Sequence, residues 1–143
     1  MMNNLDTKTL IRKWRNIIAM ARENAANEQL LVAICHYKKA KKIALILFNQ
    51  WREPEQTINI LLTSYSDLAH FYQSKNQHRM AELELIKAHE MLLMSLNYRS
   101  NDYSHKHILL NGIIRSYTKL RKHLNKYAST NSQPSTSLYL QRI

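Results

Sequence analysis

Seven histidines, one cysteine and a large surplus of lysine and arginine are the residues of this chain whose types could support chemistry. Metal ligation by imidazole requires rings that converge, as when two histidines lie one helical turn apart on the same face. His105 and His107 are two positions apart, a spacing that sends them to different faces of a helix, and no other Cys/His spacing makes a ligand set. His36, His89 and His123 lie among charged neighbours and read as surface residues. Cys35 has no second cysteine to pair with and falls in a periodic apolar run, where it reads as a small core residue. A single glycine rules out a glycine-rich phosphate loop, and no serine or cysteine nucleophile motif occurs. These residues point away from an enzyme and call for neither cofactor nor metal.

The basic residues are more informative. With 21 Lys/Arg against 10 Asp/Glu the net charge is +11, and it is unevenly spread. Residues 1–52 carry +7, residues 53–96 carry −3, and residues 97–143 carry +7. Lysines 38, 39, 41 and 42 surround Ala40, and on a helix that faces Ala40 inward they form a solvated rim rather than a nucleic-acid signal. Arg115, Lys119, Lys122 and Lys126 follow i, i+4, i+7, i+11 spacing and so make one basic stripe. Against phosphates such a stripe binds without sequence preference and with strong salt sensitivity.

The elements that position these residues are helices. One glycine and two prolines in 143 residues are too few for the turns of an all-β domain, and this length supports one domain with its own core. The first residues lack the apolar run of a signal peptide, and no window approaches a membrane span; a soluble, cytoplasmic, bacterial-type protein is the expectation. Asp6 or Thr7 is placed to cap a first helix with Leu10, Trp14, Ile17, Ile18, Ala21 and Ala25 inward, ending near residues 24–27. Asn27 reads as the cap of a second, with Leu30, Ala33, Ile34, Tyr37, Ala40, Ala44 and Leu47 on one face. Pro54 stops that helix near residues 50–51 and opens a third. A fourth runs over about 76–96 with Asn76 as its cap, and a fifth over 102–127 with Leu109, Ile113, Tyr117, Leu120, Leu124 and Tyr127 inward.

Within residues 65–93 two amphipathic segments meet across a short polar turn. Tyr65, Leu68, Ala69, Tyr72, Ala81, Leu85 and Ala88 fall in the order and spacing of the conserved-type positions of a tetratricopeptide repeat, and the segment resembles that family's helical hairpin. An earlier copy lies 48 residues upstream, where Ile17, Met20, Ala21, Ala33, Tyr37 and Ala40 take the matching positions and Asn24 replaces an aromatic. The resemblance implies stacked helix pairs whose first helices line a concave groove. Its groove positions are Arg15, Ile18, Arg22 and Ala25 in the first copy and Thr63, Ser66, His70 and Gln73 in the second. Members that grip a carboxylate terminus carry Lys and Asn where this chain has Ile18 and Arg22, and Lys and Arg where it has Thr63 and Asp67, so that function does not carry over.

The expected fold is therefore all-α: five long antiparallel helices forming two tetratricopeptide-like hairpins and a capping helix over 1–127, followed by a flexible polar tail over 128–143. The expected function is non-catalytic binding of a protein or peptide segment, acidic in character, in a groove lined by Arg15, Arg22, Ser66, His70 and Gln73. So few repeats also allow self-association. The alternative is a nucleic-acid accessory role through the basic surfaces of the second and fifth helices, including Arg115, Lys119, Lys122 and Lys126.

Overall fold

The computed structural model describes residues 6–98 and 103–127, with the side chains of Tyr103 and Ser104 left aside. Its described residues form five helices and no strand: α1 (Thr7–Ala26), α2 (Leu30–Gln50), α3 (Pro54–Ser74), α4 (His78–Tyr98) and α5 (Tyr103–Tyr127). The fold is all-α, as composition and periodicity require. The polar tail expected over 128–143 and the loop residues 99–102 lie outside the described residues.

Local chemistry sets the helix ends. Asp6 takes the N-cap position of α1, although its side chain makes no capping bond. At the end of α2, Trp51 adopts a left-handed conformation (φ 53°) and its N–H returns to the Leu47 carbonyl at 3.1 Å. That single bond is a helix stop of the left-handed type. The Trp51 ring meets Phe48 edge-on at 5.6 Å, and Pro54 then opens α3, where its missing N–H costs nothing.

The turns from α1 to α2 and from α3 to α4 share one geometry at the 48-residue offset. In the first, Gln29 N–H bonds the Asn24 carbonyl at 2.9 Å and Glu28 N–H bonds that of Ala25 at 3.1 Å. In the second, Gln77 N–H bonds the Tyr72 carbonyl at 2.8 Å and Asn76 N–H bonds that of Gln73 at 3.0 Å. Glu28 and Asn76 are the left-handed residues that make these two-bond closures possible. Two assignments are corrected here. Asn27 closes α1 rather than capping α2, and Asn76 closes α3 rather than capping α4. Asparagine tolerates the left-handed region at low cost, so the C-terminal role of Asn76 wins.

Internal contacts group the chain into two compact units that meet inside α3, the first ending at Phe71 and the second starting at Tyr72. In the first unit α1 buries Leu10, Ile11, Trp14, Ile18 and Ala21, while α2 buries Ala33, Tyr37, Ala40, Ile43, Ala44, Leu47 and Phe48. Ala21, Ala33, Ala40 and Ala44 are wholly inaccessible; side chains this small let helix backbones approach closely. α3 adds Ile58, Ile60, Leu61, Leu62, Tyr65, Leu68 and Ala69, so it is apolar around much of its circumference. In the second unit α4 packs on α5; α4 buries Ala81, Leu85, Ile86, Ala88 and Leu92, and α5 buries Leu109, Ile113, Leu120 and Leu124. Cys35 is exposed, contrary to the core role expected for it, because the buried face of α2 runs through Ala33, Tyr37 and Ala40 and leaves position 35 outward.

Candidate functional site

Two hydrogen bonds set α1 beside α3 in the first unit. Trp14 Nε1–H donates to Ser64 Oγ at 2.7 Å in the core, and Arg22 Nε–H donates to Asp67 Oδ2 at 2.5 Å nearer the surface. Because the contact order along both helices is the same, they run parallel. Ser64 Oγ–H in turn donates to the Ile60 carbonyl at 2.8 Å, so both groups at the buried contact are satisfied.

Arg15, Arg22, Ser66 and His70, four of the five expected groove residues, lie on these two helices. Arg15 and His70 are exposed, Ser66 is half-buried, and Arg22 lies between helices against Asp67. Ile18 is buried at 3% exposure and so belongs to the core, while Ala25 and Thr63 are half-buried. The Arg22–Asp67 pair is half in water, which limits its worth to under about 1 kcal/mol. Its electrical consequence is larger than its energy. The hydrogen bond to Asp67 holds the Arg22 guanidinium firmly charged while Asp67 neutralises it within the chain. Burial pushes up the pKa of the Tyr37 hydroxyl, with the charge of Asp67 adding to the rise and that of Arg22 opposing it. Arg15 and, two turns before it on the same stripe, Lys8 are exposed cations of α1.

Asn24, where the sequence pattern expects an aromatic, has a polar task instead. Its Nδ2–H donates to Gln29 Oε1 at 3.0 Å and its Oδ1 lies 2.9 Å from His36 Nδ1, which makes that ring nitrogen the donor. His36 is thereby half-buried rather than a free surface residue.

The fifth groove residue, Gln73, lies in the second unit, where its Nε2–H donates to His123 Nδ1 at 2.9 Å. His123 is buried, and so is His89, which corrects their reading as surface residues. Each burial is made possible by a hydrogen-bond partner on another helix. Burial lowers the His123 pKa, opposed by the charge of Glu82 and a backbone hydrogen bond at His78 and reinforced by the His78 ring. His78 stacks on Tyr127 at 3.9 Å and 20°, and Tyr127 lies 4.9 Å from His123.

His89 and Ser116 have the residue types of a base and a nucleophile, 2.7 Å apart. The hydrogens are arranged the other way. Ser116 Oγ–H donates to the Ile113 carbonyl at 2.9 Å, so the hydroxyl can only accept, and His89 Nδ1–H is the donor. A serine whose proton is held by a backbone carbonyl and whose histidine already donates to it is not activated for attack. Both residues are at most 3% exposed, and His89 Nε2 is buried without a partner among the described residues. Burial alone lowers the His89 pKa. No group of three or more His, Cys, Asp or Glu among the described residues is arranged to hold a metal ion.

The stripe Arg115, Lys119, Lys122 and Lys126 is exposed along its whole length on α5, with Lys126 Nζ 5.4 Å from the Tyr127 ring. Around Ala40, Lys38, Lys39 and Lys42 are exposed, and Lys41 Nζ lies 4.8 Å over the Tyr65 ring. Sequence periodicity gave no sign of two exposed apolar residues on α5, Leu110 and Ile114, which precede the basic stripe. No helix among the described residues is long and apolar enough to cross a membrane.

Residues 12–141 match the family described as protein of unknown function (DUF2753), and the chain belongs to that family. Neither the curated proteins nor the solved structures contain a match to it.

Proposed function

We propose that this chain is a non-catalytic protein-interaction module whose α1–α3 face receives a segment of a partner. The reading is supported by the parallel placement of α1 and α3 by the Trp14–Ser64 and Arg22–Asp67 bonds, with Arg15 and His70 exposed and Ser66 half-buried on these helices. Two αα turns of the same geometry 48 residues apart support its descent from a tetratricopeptide-like hairpin repeat. Because Asp67 already neutralises Arg22, the ligand chemistry is narrower than two arginines would suggest. Arg15 takes one carboxylate, while Ser66 and His70 offer hydrogen bonds to a peptide backbone. A cytoplasmic, bacterial setting belongs to this proposal, and self-association is the competing use of the same face.

The test is affinity capture with the full chain, identification of the captured protein, and a direct titration with that protein purified. Arg15→Ala and His70→Ala together leave the buried contacts untouched, and they should weaken the titration at least tenfold. Unchanged affinity would remove this face from consideration. Light scattering on the same samples separates a hetero-partner from a second copy.

A further inference from the structure

α2 buries one side through Ala33, Tyr37, Ala40, Ala44 and Leu47. On the opposite side Leu31 is 81% exposed, Val32 46% and Ile46 45%, and between them lie the exposed Lys38, Lys39 and Lys42. At about 100° and 1.5 Å per residue these six fall within an arc of roughly 120° and a length of about 22 Å. The packed inner side fixes that arc outward, since turning it inward would expose the core. No Asp or Glu occurs anywhere in α2, so this face sets apolar side chains at both ends of a cluster of cations without a local acid.

Among the described residues Lys38, Lys39 and Lys42 form no ion pair. Lys41 lies over the Tyr65 ring and is no part of this face. A single exposed leucine is ordinary, but three outward apolar side chains flanking three cations call for a partner that takes both. Nucleic acid would satisfy the lysines and leave Leu31, Val32 and Ile46 in water. A second copy of the face would set lysine against lysine. An anionic bilayer takes both: its headgroups receive the ammonium groups, and the boundary beneath them receives the apolar tips. Long lysine stems let the charges stay at headgroup level while the apolar tips sit deeper. A flat surface also reaches both ends of the helix together. Residues 7–50 carry nine Lys/Arg against two Asp/Glu, a charge that steers the α1–α2 hairpin toward such a surface.

We infer that the outer face of α2 docks on an anionic lipid bilayer, with Lys38, Lys39 and Lys42 at the headgroup phosphates and Leu31, Val32 and Ile46 in the interfacial layer. The helix lies along the surface and does not span it, in keeping with the lack of any membrane-crossing helix among the described residues. This face shares no residue with Arg15, Ser66 and His70, so each assignment stands if the other fails.

Co-sedimentation of the full chain with vesicles tests the assignment, using phosphatidylcholine and phosphatidylserine in equal parts and phosphatidylcholine alone. The chain should bind the mixed vesicles at low salt, leave them as salt rises, and stay free of the neutral ones. The triple variant Lys38→Gln, Lys39→Gln, Lys42→Gln should weaken binding about fivefold per lysine and about a hundredfold in all. The same charge change on α5, Lys119→Gln, Lys122→Gln, Lys126→Gln, should keep the affinity within about fivefold of the parent. Leu31→Gln with Ile46→Gln, which leaves every charge in place, should weaken binding at least about tenfold. Leu31→Gln alone should show part of that loss, which keeps the test valid if the pair folds poorly. No binding to mixed vesicles, equal binding to neutral ones, equal loss in the α5 control, affinity unmoved by the Leu31 and Ile46 changes, or capture of duplex DNA but not of vesicles would each overturn the assignment.

Discussion

Glu28 and Asn76 hold the same left-handed backbone, with φ of 59° and 60°, at equivalent points of two turns 48 residues apart. In each turn the residue's own N–H and the next one close back on the preceding helix. A left-handed conformation costs a residue with a Cβ about 1–2 kcal/mol, least for asparagine. Asn76→Val should therefore destabilise by about 1–2 kcal/mol, while Asn76→Gly should be neutral or stabilising. Urea unfolding of the two variants checks this, and equal stabilities would mean that Asn76 is not held in that conformation.

Ala33 and Ala81 are equivalent across the repeat, and each is wholly inaccessible. A leucine at either position has to displace packed neighbours. Ala33→Leu and Ala81→Leu should each destabilise by about 1–3 kcal/mol, read as a lower melting temperature. An unchanged melting temperature for either would show room at that helix contact that the packing does not have.

His89 and Ser116 differ in what their removal leaves behind. Ser116→Ala strands a buried imidazole N–H and should cost about 1–3 kcal/mol. His89→Leu removes the imidazole together with its unpartnered Nε2, leaving a serine that still donates to Ile113, and should cost less. Denaturant midpoints in that order support the hydrogen assignment made from geometry; the reverse order contradicts it.

Burial lowers the pKa of both His89 and His123, with Glu82 partly opposing the shift at His123. Above the ordinary histidine value of 6.5 both are neutral whether the chain is folded or not, and their contribution is complete. As pH falls through 6.5 the unfolded chain takes up protons that the folded one refuses, so stability declines until the folded-state pKa values are passed. Each histidine contributes at most about 1.4 kcal/mol per pH unit in that window. Melting temperatures should fall between neutral and mildly acid pH, and His89→Leu should fall less steeply. A flat profile would show that neither histidine is held neutral by the fold.

The helices were legible in the sequence for physical reasons that act locally. Proline at 54, apolar stripes at 3.6-residue spacing and polar turns each restrict the chain within a few residues, so α2 ends and α3 begins where Trp51 and Pro54 require. The exposure of Arg15, His70 and the α5 stripe followed from the same spacing. Exposure fails as a local property where the side chain is polar or the helix is apolar on several faces. Cys35 was misread because α2 also leaves Leu31, Val32 and Ile46 in water, so membership of an apolar run did not say which face was buried. His89 and His123 were misread because burying a polar ring depends on a partner, and those partners, Ser116 and Gln73, lie 27 and 50 residues away. The same holds for the candidate site. Spacing put Arg22 on one helical stripe with Arg15, but only packing α1 against α3 brings Asp67, 45 residues away, close enough to neutralise it.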